Sequence, residues 1–310
     1  MTEQIKLTLS ISKIAPLIGL DQYNNLPKIF CEIWRKYNPV EFTEYEQLLI
    51  KDSSIKLVNS NEFNDILEID NANGTNILQQ LNTINDDKNK SSHEMVKQQT
   101  IITQYINAQD KFNAIQKTDL IKKVCSITNR QHGIYNENHI INEFCRLSEK
   151  VIQQEQGWVE TQLNTSKLIQ WVIIGKYDAI TTENELLEVK MRQKGLFKKM
   201  RDYENVQVQL YLHALEYKKG YLVENFTNKK NEMQLYIHEI KYDEEYVNEI
   251  ILNRLKAFVQ FFENVMEDKS EHKKHILNGL LKGDINREIY KYYEQNYLEI
   301  EAGSCPRATI

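Results

Sequence analysis

The stretch Leu168–Arg192 reads LIQWVIIGKYDAITTENELLEVKMR. Its two halves, Leu168 to Ile180 and Glu185 to Arg192, are rich in β-branched and large apolar residues. Thr181-Thr182-Glu183-Asn184 between them has the polar composition of a turn, so the segment predicts a β-hairpin. Side chains alternate along an extended strand, which puts Glu188 and Lys190 on one side and Val189 on the other. Paired in this way, Asp178 of the first strand lies beside them, and two carboxylates converge with one ammonium.

Upstream of the hairpin, Ile140, Ile141, Phe144, Leu147 and Val151 recur at three- and four-residue spacing, predicting an amphipathic helix over Ile134–Ile152 that begins just after Gly133. Downstream, Val206–Glu216 reads as a helix broken by Gly220. Tyr221–Phe226 and Gln234–Ile240 read as strands, and Glu244–Met266 as a long helix with Val247, Ile250, Ile251, Leu255, Phe258 and Phe262 on one side. The order helix, hairpin, helix, strand, strand, helix gives a mixed α/β (α+β) core with a central β-sheet flanked by helices. Residues 8–40 read as helix, turn, helix, with Gly19 as the stop of the first and Pro39 ending the second. From Lys51 to Gln116 the composition shifts to Asn, Gln, Asp, Lys and Ser, as in an insertion or a loosely packed helical region. The divisions expected within one domain over 1–310 are a helical segment of the core over 1–43, an Asn/Gln-rich, mainly helical insertion over 44–130, the α/β core over 131–268 and a helical extension with a tail over 269–310.

With 310 residues, 41% of them hydrophobic, the chain is long enough to bury a sizeable core. Cys31, Cys125, Cys145 and Cys305 are widely spaced and form no Cys-x-x-Cys pair, which suggests neither a zinc site nor a disulfide framework and fits a reducing, intracellular, cytoplasmic setting. No apolar run is long enough to span a bilayer, so a soluble protein is expected. A net charge of -5 argues against non-specific coating of nucleic acid, though a local basic track beside an acidic site remains open. Such a track is present: Lys190, Arg192, Lys194, Lys198, Lys199 and Arg201 crowd into twelve residues around Phe197, a pattern suited to phosphate neutralisation and equally to a solvated basic loop.

Asp178 and Glu188, with the Val189 carbonyl, would give Mg²⁺ or Mn²⁺ oxygen ligands while leaving room for waters and a phosphate oxygen. The lysine would position a water or stabilise developing charge. The same letters also fit a strand-end aspartate and an exposed Glu-Lys pair. Two neighbours strengthen the chemical reading. Gln207 and Tyr211 are four apart, hence on one face of the following helix. Glu137 follows Gly133 by four residues and is either a further carboxylate of the site or a solvated first-turn residue.

Taken in order, Gly133-x-x-x-Glu137, Asp178, Glu188-x-Lys190 and Gln207-Val208-Gln209 before the Gly220-Tyr221 strand resemble the YqaJ and bacteriophage lambda exonuclease family of the PD-(D/E)XK nuclease superfamily. Ser10-Ile11-Ser12-Lys13-Ile14-Ala15 with Ile18-Gly19-Leu20-Asp21-Gln22-Tyr23 is similar to the opening segment of that family. The resemblance implies a restriction-endonuclease-like core and a Mg²⁺- or Mn²⁺-dependent, two-ion, 5′ to 3′ exonuclease acting on duplex DNA ends in recombination and repair. It further implies a viral-type recombinase setting, a separate single-strand annealing partner and a homo-oligomer, conceivably a ring-shaped trimer. By position, Glu137, Asp178 and Glu188 would be metal ligands, Lys190 the motif lysine and Gln207 the supporting glutamine; Ser12 and Lys13 would join Arg192, Lys194, Lys198, Lys199 and Arg201 on DNA. Tyr177 stands in place of the proline of the superfamily name, and the family's arginine near the N-terminal serine has no clear counterpart. A structure-specific or nicking endonuclease, as among RecB-like and Cas4-like enzymes, and a non-catalytic DNA-binding protein remain the alternative readings.

Overall fold

The computed structural model describes residues 4–21, 26–50, 66, 69–71, 74–77, 79, 81, 92–166, 168–228 and 232–282. Its centre is a six-stranded mixed sheet, confirming the mixed α/β class. The strands are β1 (Ile5–Ser10), β2 (Ile152–Thr165), β3 (Ile169–Thr181), β4 (Leu186–Arg192), β5 (Lys219–Thr227) and β6 (Met233–Lys241). β3 organises the sheet. One edge takes β2, antiparallel along almost its whole length; the other takes β1, parallel, against Ile169–Ile174 and then β4, antiparallel, at only Ala179 and Ile180. β5 runs parallel to β4, and β6 antiparallel to β5.

The expected hairpin is present, closed by the Thr181 amide on the Glu185 carbonyl and turned by Asn184 at φ 59°. Two strands depart from expectation. Residues 5–10 form β1 where a helix was expected to begin at residue 8; Leu7 and Leu9, two apart, are both buried, which is the strand period. β2 was not anticipated, because its residues Gln153–Gln156 are polar, its one large exposed ring, Trp158, faces water, and its main apolar anchor is Val159.

Helices cover both faces. α1 (Ile14–Leu17) ends where Gly19, at φ 75°, lets the Leu20 amide reach the Ala15 carbonyl. α2 (Leu26–Tyr37) buries Ile29, Phe30, Ile33 and Trp34. Pro39 both ends α2 and opens α3 (Pro39–Ile50), since its missing N–H costs nothing in a first helical turn; Asn38 caps the new helix through the Glu41 amide. With α6 (Asp202–Leu215), α7 (Asn253–Glu267, entered by a π-type turn over Tyr246–Leu252) and α8 (Glu271–Lys282), these helices bury Leu7, Leu9, Trp171 and Ile173 under a knot of rings in which Phe262 meets Phe30 at 5.0 Å and Trp171 at 5.3 Å.

The opposite face is covered by Ile140, Ile141 and Phe144 of α5 (Ala114–Ser148), packed on Ala179, Leu187, Tyr221 and Val223. This helix corrects the sequence expectation. It begins twenty residues before Gly133, at an Asn113–Gln116 capping box, and Leu147 and Val151 are exposed. Its first half packs with α4 (Ser92–Asn107): Ile66, Ile77, Leu81, Ile102, Ile106, Phe112, Leu120, Val124 and Ile127 form a separate apolar cluster. The polar region is therefore not loosely packed where it is described. α3 and α5 run across residues 43 and 130, so those expected divisions do not fall between elements. Tyr290, Tyr292, Tyr293, Tyr297 and the expected tail lie outside the described residues, and no described helix is long and apolar enough to cross a membrane.

Gly220 does not break a helix; α6 stops at Glu216, in the left-handed region at φ 58°, and Gly220 lies within β5. A Cβ there would stand 2.9 Å from Leu186 Cβ and 3.0 Å from the Leu186 carbonyl, and a backbone oxygen in a parallel ladder has little room to retreat. Gly220→Ala is expected to destabilise the protein by roughly 1–3 kcal/mol, read as a lower urea midpoint with an unchanged m-value.

Candidate active site

Between Ile174, the last β3 residue paired to β1, and Ala179, the first paired to β4, that edge of β3 has no strand neighbour among the described residues. Side chains fill the interval. The Tyr211 hydroxyl donates to the Lys176 carbonyl at 2.6 Å, and the Asp178 carboxylate accepts the Val189 amide at 2.7 Å, so peptide groups that lack a ladder partner are satisfied. Gly175 permits the approach: a Cβ there would lie 2.6 Å from the Tyr211 ring and 2.7 Å from Ile11 Cδ1.

Into this interval β4 delivers Glu188 and Lys190 on the α6 side, as alternation predicts. Lys190 Nζ donates to Glu188 Oε1 at 2.8 Å and to Gln207 Oε1 at 2.9 Å, while Gln207 Nε2 donates to Glu188 Oε1 at 2.7 Å. This closed triangle fixes all three groups and turns the other carboxylate oxygen, Glu188 Oε2, into a buried position with no hydrogen-bond partner among the described residues. A buried carboxylate oxygen without a donor is costly, and such an orphan calls for an external positive or protic group.

The electrostatics agree. Burial pushes the Asp178 carboxyl well above its ordinary value, and the negative charges of Glu188 and Glu137 push it further; the Val189 amide and Lys190 only partly oppose them. Burial works against the Lys190 ammonium, yet the charge and hydrogen bond of Glu188 outweigh it and hold its pKa above the ordinary lysine value. Lys190 thus stays protonated at neutral pH. Burial also raises Glu137, opposed by its hydrogen bond from Gln156 and by the charge of Lys176.

The structure therefore gathers Asp178, Glu188, Lys190 and Gln207, with Tyr211 behind them. Of the Val189 peptide, it is the N–H that meets Asp178. Glu137 sits mid-helix on α5 rather than in a first turn, at the rim of the cluster, accepting from Gln156 Nε2 at 3.2 Å. Among the described residues no three His, Cys, Asp or Glu side chains form a ready-made metal cage. The donors fit a hard cation that keeps much of its water: two adjacent carboxylates, one with a free buried oxygen, and a third at the rim.

The expected basic track divides in two. Lys194, Lys198, Lys199 and Arg201 are exposed on the loop after β4. Arg192 is not available to a substrate: its guanidinium is buried, donating to Glu204 at 2.7 Å and to Glu224 at 3.1 Å and lying 4.1 Å from the Phe197 ring centre. Glu224, fully buried, also accepts the Phe197 and Lys198 amides, at 2.6 and 3.2 Å, and meets His238 at 3.1 Å. Burial raises its carboxyl, but these partners more than reverse that and hold its pKa below the ordinary glutamate value. Sequence reading missed this anchor, because nothing in the local pattern of β5 marks Glu224 as buried. At the N-terminal segment, Ser12 Oγ shares a hydrogen bond of 3.1 Å with Ser10 Oγ, and Lys13 is ion-paired to Glu32; Gln22 and Tyr23 lie outside the described residues.

Compared with known proteins, the chain matches no protein-family model and no curated protein. Solved structures similar to it include the alkaline exonuclease LHK-Exo from Laribacter hongkongensis, at 16% identity over 53% of this chain and 88% of that one with a TM-score of 0.36. The complex of LHK-Exo with dAMP gives 15% identity over 61% and 87%, at 0.35. The protein SSO0001 gives 14% over 60% and 83%, at 0.34.

Two outcomes follow. Arg192→Ala leaves Glu204 and Glu224 buried without their counter-charge, so it is expected to cost roughly 3–5 kcal/mol of stability, measured by denaturant unfolding; an unchanged midpoint would contradict its structural role. Asp178→Asn keeps an oxygen for the Val189 amide but removes the unfavourable charge. Because the folded carboxyl titrates above its ordinary value near 3.8, its protonated form contributes stability that is intact below that value and lost as pH rises through the folded pKa. In metal-free buffer the Asn variant is therefore expected to gain stability over wild type as pH rises from about 4 to neutrality, seen as diverging thermal midpoints.

Proposed function

We propose that this protein is a metal-dependent nuclease that hydrolyses DNA phosphodiester bonds, acting as an exonuclease on duplex ends. The observation that carries the reading is the buried Glu188 Oε2 beside Asp178, partnerless among the described residues, with a fixed lysine on the same carboxylate. An acidic pair whose charge the neighbouring Lys190 ammonium offsets only in part suits a site that takes a cation and a phosphate together.

Asp178 and Glu188 would hold Mg²⁺ or Mn²⁺, with Glu137 at the rim available to a second ion. Bound there, the metal would polarise the phosphate and lower the pKa of a water. The chain's own groups do the rest. Lys190, whose ammonium the Glu188 carboxylate favours in the metal-free protein, supplies positive charge to the phosphate oxygens. Gln207 keeps the Lys190 ammonium and the Glu188 carboxylate in register, and Tyr211 holds the strand that carries Asp178. Lys194, Lys198, Lys199 and Arg201 supply phosphate contacts leading to the site. Exonuclease action on duplex ends rests on the order of sequence motifs from Ser10 to Phe226.

The test is digestion of 5′-labelled linear duplex beside a closed circle, with Mg²⁺ or EDTA, by wild type and Lys190→Ala. Mg²⁺-dependent loss of the linear substrate alone is expected, slowed on the order of 100-fold or more in the variant. Cutting of the circle would replace the exonuclease with an endonuclease, and no cutting of either would overturn the nuclease reading.

A further inference from the structure

The protein has three tryptophans. Trp34 and Trp171 are fully buried, whereas Trp158, in the middle of β2, is 70% exposed. A large ring left in water on a regular strand has no part in the core. Its surroundings indicate what it faces. Trp158 is the direct antiparallel partner of Lys176 on β3, so the two side chains leave the sheet on the same face with Cβ atoms about 4.5–5.5 Å apart. Lys176 is exposed and only two residues, roughly 7 Å, from Asp178.

A hydrogen-bonded chain joins this pair to the acidic cluster. Lys176 Nζ donates to Gln156 Oε1 at 2.7 Å, and Gln156 Nε2 donates to Glu137 at 3.2 Å. Gln156 holds this place at φ 50°, in the left-handed region. The Lys176 ammonium is thereby oriented by a neutral amide and, although its charge also acts on Glu137, it stays exposed to solvent. Further along the same face Glu160 is matched by Lys6 at 2.7 Å, so the positive charge beside Trp158 is not cancelled by its nearest strand neighbour.

We infer that Trp158 and Lys176 form a binding subsite for single-stranded nucleic acid, a base stacking on the indole while the adjoining phosphate meets the ammonium. A planar apolar ring paired with one oriented cation at the rim of a phosphate-cleaving centre matches the alternating base and phosphate of a strand. The inference deepens the nuclease reading and rests on it: the subsite takes the strand once it has left the duplex.

The test is made in EDTA, so binding is read without cleavage. A dT 12-mer is titrated into the full chain while tryptophan emission is followed; with the other two indoles buried, Trp158 supplies the quenchable signal. The 12-mer is expected to quench that emission and shield it from acrylamide. Trp158→Ala is expected to bind an end-labelled 12-mer about 5- to 100-fold more weakly, with its circular dichroism and thermal midpoint unchanged. Lys176→Gln is expected to flatten the salt dependence of log K by about 0.7, one phosphate's worth. Unchanged 12-mer affinity in Trp158→Ala would overturn the inference, as would a shift of sedimentation coefficient in that variant without loss of affinity, which would mark Trp158 as a contact between copies of this chain. Mg²⁺-dependent cutting by wild type with unchanged affinity in Trp158→Ala removes the subsite alone, whereas absence of cutting by wild type removes the nuclease reading, whatever the 12-mer does.

Discussion

Everything at the site depends on how the edge of β3 is shared. β1 serves its first six residues and β4 only Ala179 and Ile180, and the four residues between are left to side chains. Asp178 does two things there. Its carboxylate takes the Val189 amide in place of a strand neighbour, and the same bond sets the spacing between β3 and β4 at the point where Glu188 and Lys190 emerge. The acidic pair and the lysine are brought together because the sheet needs a polar group at that position, and Tyr211 and Gly175 secure the other end of the interval.

A second buried polar unit supports the loop beside the site. Glu224 and Glu204 hold Arg192 from two sides, and Glu224 also fastens the loop backbone at Phe197 and Lys198. Removing one member of such a unit is far costlier than the net worth of the whole, because what remains is an unpaired buried charge. The exposed lysines of the loop are thus mounted on a fixed base while their own side chains stay in solvent. This division of labour separates Arg192 from the neighbouring cations with which sequence spacing groups it.

How far the sequence discloses this depends on the kind of pattern involved. Strong periodicity is legible: the β3–β4 hairpin, α6, β5, β6 and the buried stripe from Val247 to Phe262 all follow from residue type and spacing. The hairpin alone brings Asp178, Glu188 and Lys190 together, and helical spacing brings Gln207 and Tyr211. Elements that face water on one side or are very short escape. β2 presents mostly polar residues and the exposed Trp158 around a single buried valine, and β1 is six residues long and merges into a helical turn. The start of α5 is misread at Gly133 because the glycine outweighs the Asn113–Gln116 capping pair that opens the helix. The burial of Arg192 and Glu224 is a tertiary fact with no local signature, as is the bridge of Gln156 between Glu137 and Lys176.

The central claim is that Asp178 and Glu188 carry a negative charge meant for a divalent cation. Calorimetric titration of Mn²⁺ into the metal-free protein, in two buffers of different ionisation enthalpy, tests it most directly. Burial and like charge hold the Asp178 carboxyl well above its ordinary value, so cation binding is expected to release protons, more of them as pH falls, and to be lost or strongly weakened in both Asp178→Asn and Glu188→Gln. Absence of binding by the wild-type protein, or equal binding by the two variants, would contradict the account.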